Sequence, residues 1–331
     1  MLQTSAGKSN TPSSNFFYVH PPSHPLPRVR PSRILALGQK RVRVRERARD
    51  SVVVVHDGAG RYSGDVEQEL GNVQQSLAIP ETLDELIEIA IANLQKYEPQ
   101  DGYYLAFSGG KDSTVIYDLA VRAMVKFDAH YHFTTVDPPE LVRHIKMHYP
   151  NIPWDRPKKS MFQLIEGRGF LPTRQIRYCC SELKEYGGKG RVVITGVRRE
   201  ESRKRSDRPL YHMDTRNKNT AYLNPIVDWK DKTVWDYIHK HNLQYCSLYD
   251  EGFDRIGCIM CPLQGSKQME RERERWPKFY NAYLGAIRRG LERAKERGRK
   301  SLVSGLTAED TMRWWIYAEK SPCGEQCQLF G

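Results

Sequence analysis

Six consecutive residues combine the side chains and the backbone freedom that phosphate binding requires. Two glycines let the backbone approach an anion and adopt conformations that a Cβ would disfavour. A lysine supplies positive charge, two serines supply hydroxyl donors, and an aspartate can hold Mg²⁺ or its water. In order, the residues are Ser108, Gly109, Gly110, Lys111, Asp112 and Ser113. This phosphate loop predicts a site for the phosphates of a nucleotide, at which intracellular nucleotide chemistry takes place.

Four cysteines form a second set of residues that could do chemistry. Cys179 and Cys180 are adjacent, and Cys258 and Cys261 form a C-x-x-C pair further along the chain. Four thiolates can hold a Zn²⁺ ion or a [4Fe-4S] cluster. Adjacent cysteines are unusual for structural zinc sites, which mostly combine two C-x-x-C pairs.

The elements around the phosphate loop predict how it is positioned. An apolar run over 103–107 indicates a buried strand before the loop. The residues after the loop have helical spacing, with apolar positions at Val115, Ile116, Leu119, Ala120 and Met124. Since a strand, a glycine loop and a helix follow one another, backbone amides at the start of the helix should face the bound anion.

Strands and helices alternate over the middle of the chain. Upstream, Thr82 to Glu85 has the spacing of a capping box before an amphipathic helix. Downstream we expect a strand from His130 to Val136 that stops before Asp137, a helix over 140–149 and a strand over 191–194. The pattern predicts an α/β fold with a doubly wound parallel sheet and a site at the carboxyl ends of its strands.

The chain is expected to comprise three regions. Residues 1–78 are rich in Ser, Pro, Arg and Gly, and we expect a disordered basic extension without assigned function. Residues 79–223 would form the nucleotide-binding domain. Residues 224–331 would form a small C-terminal cysteine-bearing subregion with a helix over 233–241, a charged helical stretch over 269–300 that is interrupted at Pro277, and a polar tail.

Composition limits the class of protein. The mean hydropathy is −0.67 and no apolar stretch is long enough for a membrane span, so we expect a soluble protein without a membrane partner. Seven cysteines that include a C-x-x-C pair fit a reducing compartment, which predicts a cytoplasmic location. Ten basic and three acidic residues lie before residue 61, so +7 of the net charge of +12 belongs to residues 1–60. Nucleic acid is therefore a possible partner that the charge does not require.

Several motifs together resemble one family. The phosphate loop is similar to the signature of PP-loop ATP pyrophosphatases, which share the adenine nucleotide alpha-hydrolase-like fold. The segments 177–180, 195–205 and 256–262 resemble the phosphoadenosine phosphosulfate (PAPS) reductase family, and the resemblance spans residues 80–265. It implies that Gly196 and Arg198 face an adenine nucleotide, where the arginine could clamp a phosphate or sulfate. Asp137 would be a ligand for the metal or the ribose, or a helix cap before Pro138.

The resemblance also bears on the cysteines. The adjacent pair followed by C-x-x-C resembles the cluster-binding pattern of adenosine phosphosulfate (APS) reductases. DndC-like DNA sulfur-modification proteins of the same family imply that Cys246 is a ligand together with one upstream cysteine. Five candidates then compete for four positions, with Cys258 and Cys261 the firmest. One of Cys179, Cys180 and Cys246 would stay a free thiol that carries sulfur or is inert.

Three functions are compatible with these residues. The first is an ATP pyrophosphatase that binds ATP and Mg²⁺, uses Lys111, Asp112 and Arg198 in catalysis, and activates a substrate by adenylation before a sulfur or nitrogen nucleophile displaces AMP. The second is reduction of APS or PAPS to sulfite, with Cys323 or Cys327 attacking sulfur, although this tail differs from the family's Glu-Cys-Gly-Leu-His pattern. Both imply a sulfur donor or a thiol reductant protein as partner. The third is a zinc-containing module that binds nucleotides or nucleic acid. The complete phosphate loop favours the first function, because sulfonucleotide reductases typically have an altered loop.

Overall fold

The computed structural model describes residues 82–215, 219–298 and 306–317. Within them lies one six-stranded sheet. Its strands are β1 (Tyr103–Phe107), β2 (Phe127–His132), β3 (Trp154–Asp155), β4 (Val192–Ile194), β5 (Tyr211–Met213) and β6 (Ala221–Leu223). The spatial order is β3-β2-β1-β4-β6-β5, and all neighbours are parallel except β5 and β6. The predicted α/β class with a parallel sheet is confirmed, with an antiparallel strand at one edge.

Nine helices of the described residues surround and extend the sheet. They are α1 (Leu83–Lys96), α2 (Lys111–Arg122), α3 (Pro139–His148), α4 (Met161–Arg168), α5 (Tyr178–Leu183), α6 (Asp231–Lys240), α7 (Ser266–Arg275), α8 (Pro277–Glu296) and α9 (Ala308–Tyr317). One group of packed helices is α1, α2 and α6, and a second runs through α5, α4, α8, α7 and α9. The two groups lie on separate parts of the molecule, as expected for a doubly wound sheet.

The first helix and strand form as the sequence predicts. The Thr82 hydroxyl accepts a hydrogen bond from the Glu85 amide at 3.2 Å, and the Glu85 carboxylate accepts one from the Thr82 amide at 3.1 Å. This capping box satisfies amides that have no partner within α1. The Tyr103 hydroxyl then donates to the Leu94 carbonyl at 2.7 Å, which joins β1 to α1. Together they fix the strand from which the phosphate loop starts.

Two predicted boundaries are wrong. α2 ends at Arg122, and Met124 is 87% exposed instead of continuing its apolar face. β2 runs from Phe127 to His132 and not from His130 to Val136. The reason is pairing, because each residue of β1 has a parallel partner in β2 beginning with Tyr103 opposite Phe127. The apolar residues that follow His132 belong to a connection at the carboxyl edge of the sheet.

Within the charged stretch over 269–300, the described residues form α7 up to Arg275 and α8 from Pro277 to Glu296, so the interruption at Pro277 is confirmed. The prediction that the stretch is simply a solvated face is wrong for its first part. Glu272 of α7 is buried and accepts hydrogen bonds from the Met260 amide and, at 2.9 Å and 3.1 Å, from the side chains of Gln264 and Gln268. This carboxylate therefore fixes the loop that carries the C-x-x-C pair.

Some predictions fall outside the described residues. These include the extension over 1–78 and the tail cysteines Cys323 and Cys327. The division of the remainder at residue 223 stays a prediction. In the part of the chain that the structure describes, no helix combines the length and the apolar character needed to cross a membrane.

Candidate nucleotide and thiol site

The phosphate loop connects β1 to α2 at the carboxyl edge of the sheet. Gly109 has a φ of +72°, in the left-handed region that favours glycine. Gly110 has a φ of −79° and is the N-cap of α2, where no side chain caps the helix. The conformational argument therefore applies to Gly109, and the prediction that Gly110 also needs a special conformation is wrong. Backbone amides at the start of a helix can bind an anion.

Replacing Gly109 with alanine should destabilise the fold. Its Cβ would lie 2.6 Å from Ile145 Cδ1 and 2.9 Å from Leu141 Cδ1, in addition to the unfavourable φ. We expect a loss of about 2–4 kcal/mol in the free energy of unfolding, measured by denaturant titration. Gly110→Ala is the matched control, since its nearest neighbour would be the Tyr249 hydroxyl at 3.4 Å. Equal losses in the two variants would contradict this account of the loop.

The serine hydroxyls hold the loop in shape. Ser113 Oγ donates to the Gly110 carbonyl at 2.8 Å, and Ser108 Oγ donates to Ser113 Oγ at 3.1 Å. The Gly110 amide donates in turn to Ser108 Oγ at 3.4 Å. The two serine hydroxyls thus lie together at the start of α2 and fix the conformation of the phosphate loop.

Lys111 is the first residue of α2 and is almost fully buried. Its amide donates to the Tyr249 hydroxyl at 2.9 Å, and its Nζ donates to the Asp254 carbonyl at 3.1 Å. The same Nζ lies 3.2 Å from Asp231 Oδ1 and 3.9 Å from Asp112 Oδ2. Oxygen atoms of the segment 231–254 therefore contact both the backbone amide and the Nζ of this lysine.

Arg198 reaches the phosphate loop from the connection that follows β4. Its side chain is only 4% exposed, and its Nε lies 2.6 Å from Asp112 Oδ1. The backbone at Gly196 lies so close to the phosphate loop that a Cβ there would be 2.9 Å from the Cβ of Asp112, so this position requires glycine. Both residues thus lie at the phosphate loop.

The two cations converge on one oxygen atom. Asp231 Oδ1 lies 3.2 Å from Lys111 Nζ and 2.7 Å from Arg198 Nη2. Asp231 is the first residue of α6 and its side chain is 52% exposed. An anionic oxygen is therefore held between two buried cations beside the start of α2. Burial raises the pKa of Asp112 nearby, while Lys111 and Arg198 oppose that rise.

Sequence reasoning missed Asp231 and Tyr249. An acidic residue at the start of a helix is common and gives no sign of a ligand role. Tyr249 lies in a short 3₁₀ turn over Ser247–Tyr249, far from the phosphate loop along the chain. Only the folded chain brings both to Lys111.

Four cysteines lie near one another on a separate side of the site. Cys179 and Cys180 are on α5, and Cys258 and Cys261 are in the loop before α7. Hydrogen bonding to Cys180, burial and the charges of Cys180, Cys258 and Cys261 all raise the pKa of Cys179. A hydrogen bond from Cys179, with Arg177 nearby, lowers the pKa of Cys180 to about 6. The structure therefore brings these four thiols into one group, which we call the thiol group.

Cys246 does not join the thiol group. It is 0% exposed, and the charges that affect its pKa beyond burial come from Glu140, Asp250 and Glu251. The charge of Cys246 instead raises the pKa of Tyr249, whose hydroxyl accepts a hydrogen bond from the Lys111 amide. The interpretation of Cys246 as a fourth ligand beside the C-x-x-C pair has no support in this arrangement.

A single metal ion would need the thiols of the thiol group arranged around one point. Across residues 82–215, 219–298 and 306–317, no set of three or more His, Cys, Asp or Glu side chains is arranged to hold a single metal ion. Four thiolates bound to Zn²⁺ must each lie about 2.3 Å from one atom, whereas a [4Fe-4S] cluster spreads its four ligands over a larger body. The four thiols are the candidate ligands for either group, and the choice between cluster and zinc stays a prediction.

Asp137 and Lys184 lie beside the thiol group. Asp137 accepts a hydrogen bond from the Thr134 amide at 2.7 Å, and α3 has no side-chain cap, so the helix-cap alternative for Asp137 is wrong. The negative charge of Cys258 raises the pKa of Lys184 against the effect of burial, and Asp137 adds to the rise. The Lys184 side chain is exposed. Sequence reasoning missed this lysine, whose positive charge acts to lower the pKa values of Cys258, Cys261 and Cys180.

Backbone contacts fix the C-x-x-C loop against the sheet. The Ile259 amide donates to the Val136 carbonyl at 2.8 Å, and the Tyr283 hydroxyl donates to the Ile259 carbonyl at 3.1 Å. Arg174 donates to the carbonyls of Pro262 and Gln264, both at 3.0 Å. The second pair of thiols is thereby positioned by the connection after β2, by α8 and by the segment before α5.

Comparisons with known proteins agree with this architecture. Residues 102–264 match the phosphoadenosine phosphosulfate reductase domain. An uncharacterised protein of Methanocaldococcus jannaschii is 30% identical over 194 residues, which are 56% of this chain and 47% of that protein. A second such protein is 28% identical and covers 63% of this chain and 45% of its own length, so the chain spans about half the length of these two relatives. The adenosine 5'-phosphosulfate reductase of Oceanobacillus iheyensis is 32% identical over 184 residues, which are 52% of this chain and 75% of that enzyme.

A solved structure is also similar. The PAPS reductase of Candida auris, in a phosphate complex, is 18% identical with a TM-score of 0.42 and covers 56% of this chain and 98% of that one.

Proposed function

The chain belongs to the phosphoadenosine phosphosulfate reductase family of the PP-loop superfamily, and on that premise we propose that it activates a substrate with ATP. In the reaction, a substrate oxygen attacks the α-phosphorus of ATP and the bond from that phosphorus to pyrophosphate breaks. A sulfur or nitrogen nucleophile then displaces AMP from the activated substrate. The acceptor belongs to sulfur metabolism or sulfur transfer.

One observation carries the proposal, the convergence of Lys111 and Arg198 on a single oxygen of Asp231. Two buried cations beside a helix start form a site that stabilises negative charge. In the nucleotide complex, a phosphate oxygen would take the position of Asp231 Oδ1. Charge that develops on the leaving pyrophosphate would then meet donors that are already in place, which is how such sites lower a barrier.

Asp112 is the residue that would hold Mg²⁺. Its Oδ1 lies 2.6 Å from Arg198 Nε, and its Oδ2 faces Lys111 Nζ at 3.9 Å. A carboxylate in the phosphate loop is the kind of oxygen ligand that Mg²⁺ prefers. Arg198 would orient this carboxylate and neutralise the site when no metal is bound.

The thiol group would hold a [4Fe-4S] cluster through Cys179, Cys180, Cys258 and Cys261. The cluster would supply electrons, or an iron that binds sulfur, next to the nucleotide. Lys184 would offset the negative charge of the four thiolates, and Arg177 would favour the thiolate form of Cys180.

Product analysis tests the reaction. Incubation with Mg-ATP and candidate acceptors should release pyrophosphate and AMP, whereas APS or PAPS with a thiol reductant should give no sulfite. Sulfite production without pyrophosphate release from ATP would reverse the assignment. It would favour the second candidate, which the named APS reductases among the relatives support. In that reaction a thiol attacks the sulfur of APS and releases AMP, and a second thiol then releases sulfite as a disulfide forms.

Asp231→Asn should tighten the binding of ATP. The carboxylate competes with phosphate for Lys111 and Arg198, and an asparagine of similar shape lacks the charge. We expect the dissociation constant to fall about fivefold, in line with one partly exposed ion pair. Isothermal titration calorimetry measures it.

Asp236→Asn on the same helix is the matched control, because Asp236 pairs only with Lys232, at 2.7 Å, among the described residues. Weaker binding by Asp231→Asn would instead mean that Asp231 contributes to the nucleotide complex.

A further inference from the structure

A basic aromatic patch lies at the edge of the sheet that ends in β3. Phe133 follows β2, and Trp154 opens β3. Both rings are half-buried, with centroids 5.8 Å apart and planes at 37°. Four exposed basic residues surround them. The members of this edge patch are Phe133, Lys146, Trp154, Arg156, Lys158 and Lys159.

Two of the four cations of the edge patch lie over its aromatic rings. Lys146 Nζ is 5.4 Å from the centroid of Trp154, and Arg156 Cζ is 5.9 Å from the centroid of Phe133. These contacts hold the charged ends of both side chains against aromatic faces. Lys158 and Lys159 extend the charge along the chain toward α4.

No described carboxylate pairs with the four cations, although basic residues elsewhere are commonly paired. Arg289 and Arg293, for example, both contact Glu166. Asp155, adjacent to the patch in β3, bonds His130 at 2.9 Å and Tyr104 at 3.4 Å. Its charge is therefore engaged elsewhere, and the edge patch has a local excess of positive charge that an anionic partner can satisfy.

The edge patch is continuous with the thiol group. Phe133 directly precedes Thr134, whose hydroxyl lies 3.5 Å from Cys258 Sγ. Thr135, with a φ of +69°, accepts a hydrogen bond from the Met161 amide at 3.0 Å and so ties the segment after Lys159 to the same connection. A partner bound on the patch would lie beside the site without covering the phosphate loop.

We propose that the edge patch binds single-stranded nucleic acid. Bases would displace Lys146 and Arg156 from the faces of Trp154 and Phe133 and stack there, and backbone phosphates would contact the four cations. Unpaired bases expose the faces that stacking requires, whereas a duplex hides them, and rings combined with unpaired cations are the features that single strands bind. The patch thereby assigns the acceptor to nucleic acid, and this last step rests on the proposed function.

Fluorescence anisotropy with labelled RNA and DNA single strands of about 12 nucleotides tests the binding. The double variant Lys158→Ala, Lys159→Ala should weaken binding about tenfold or more at low salt and reduce the salt slope by roughly 1.4. Phe133→Leu should weaken it about fivefold, and Phe133→Tyr should restore it because the ring returns. The matching duplex should bind more weakly than either strand, and the stronger of RNA and DNA identifies the acceptor class.

The matched control is the double variant Lys267→Ala, Lys278→Ala, which removes the same charge from exposed positions on α7 and α8. It should change affinity less than twofold. Equal losses in both double variants, or equal binding of heparin and single strands with no effect of Phe133→Leu, would overturn the proposal. So would unchanged binding together with self-association of Lys158→Ala, Lys159→Ala, since these lysines would then only keep an edge strand from pairing with another chain.

The binding readout is independent of the reaction. Single-strand binding that depends on the patch, without pyrophosphate release, would refute the proposed function and leave the patch assignment intact. Pyrophosphate release with a small acceptor, without single-strand binding, would do the reverse.

Discussion

Lys111→Ala is expected to weaken the binding of Mg-ATP by about 100-fold, because it removes a buried, pre-positioned charge from the phosphate site. Its Nζ lies 3.2 Å from Asp231 Oδ1, the oxygen at the proposed phosphate position. Among the described residues, Arg198 is the other cation that contacts this oxygen. The fold should persist, since Arg198 still pairs with Asp112 and Asp231. Calorimetric titration with Mg-ATP measures the affinity, and denaturant titration measures the stability.

Lys126→Ala is the control for that variant. Lys126 is exposed at the start of β2, at the opposite edge of the sheet from the phosphate loop. Its removal should leave ATP affinity unchanged. ATP binding by Lys111→Ala at the affinity of the unsubstituted protein would place the nucleotide elsewhere.

The double variant Cys258→Ala, Cys261→Ala should lose its iron and acid-labile sulfide. Both thiols belong to the thiol group, and two of four ligands cannot retain a [4Fe-4S] cluster. Iron and sulfide are assayed after anaerobic purification, together with visible absorption. The variant should still bind ATP, because neither cysteine contacts Lys111 or Arg198 among the described residues.

Cys246→Ala separates the five candidate ligands. Its thiol is buried away from the thiol group, so iron and sulfide contents should equal those of the unsubstituted protein. Loss of iron in Cys246→Ala with retention in Cys179→Ala would show that the ligand set differs from the thiol group. Zinc in place of iron and sulfide would refute the cluster.

The sequence predicts the fold best where local patterns are strong. β1 has the predicted bounds because it is a continuous apolar run that ends at glycines. The limits of β2 depend on its pairing with β1, which no local pattern records. β5 and β6 were not predicted, since three residues are too few to display alternation and the two strands stabilise each other only after folding.

The candidate site likewise contains residues that the sequence predicts and residues that only the folded structure reveals. The phosphate loop can be identified from consecutive residues, and the place of Arg198 is implied by the resemblance of its segment to the family. Asp231, Tyr249 and Lys184 could not be found, because each is an ordinary residue along the chain and acquires a role only through contacts with residues far from it in the sequence. Cys246 is a candidate ligand by family resemblance, and its place near Tyr249 favours the alternative that it is the free thiol, which stays a prediction.

A crystal structure with Mg²⁺ and a non-hydrolysable ATP analogue would test the central claim most directly. The account predicts a phosphate oxygen between Lys111 Nζ and Arg198 Nη2, with the Asp231 carboxylate displaced from the position it now holds at 3.2 Å and 2.7 Å from those atoms. An analogue bound elsewhere, with Asp231 still between the two cations, would contradict it.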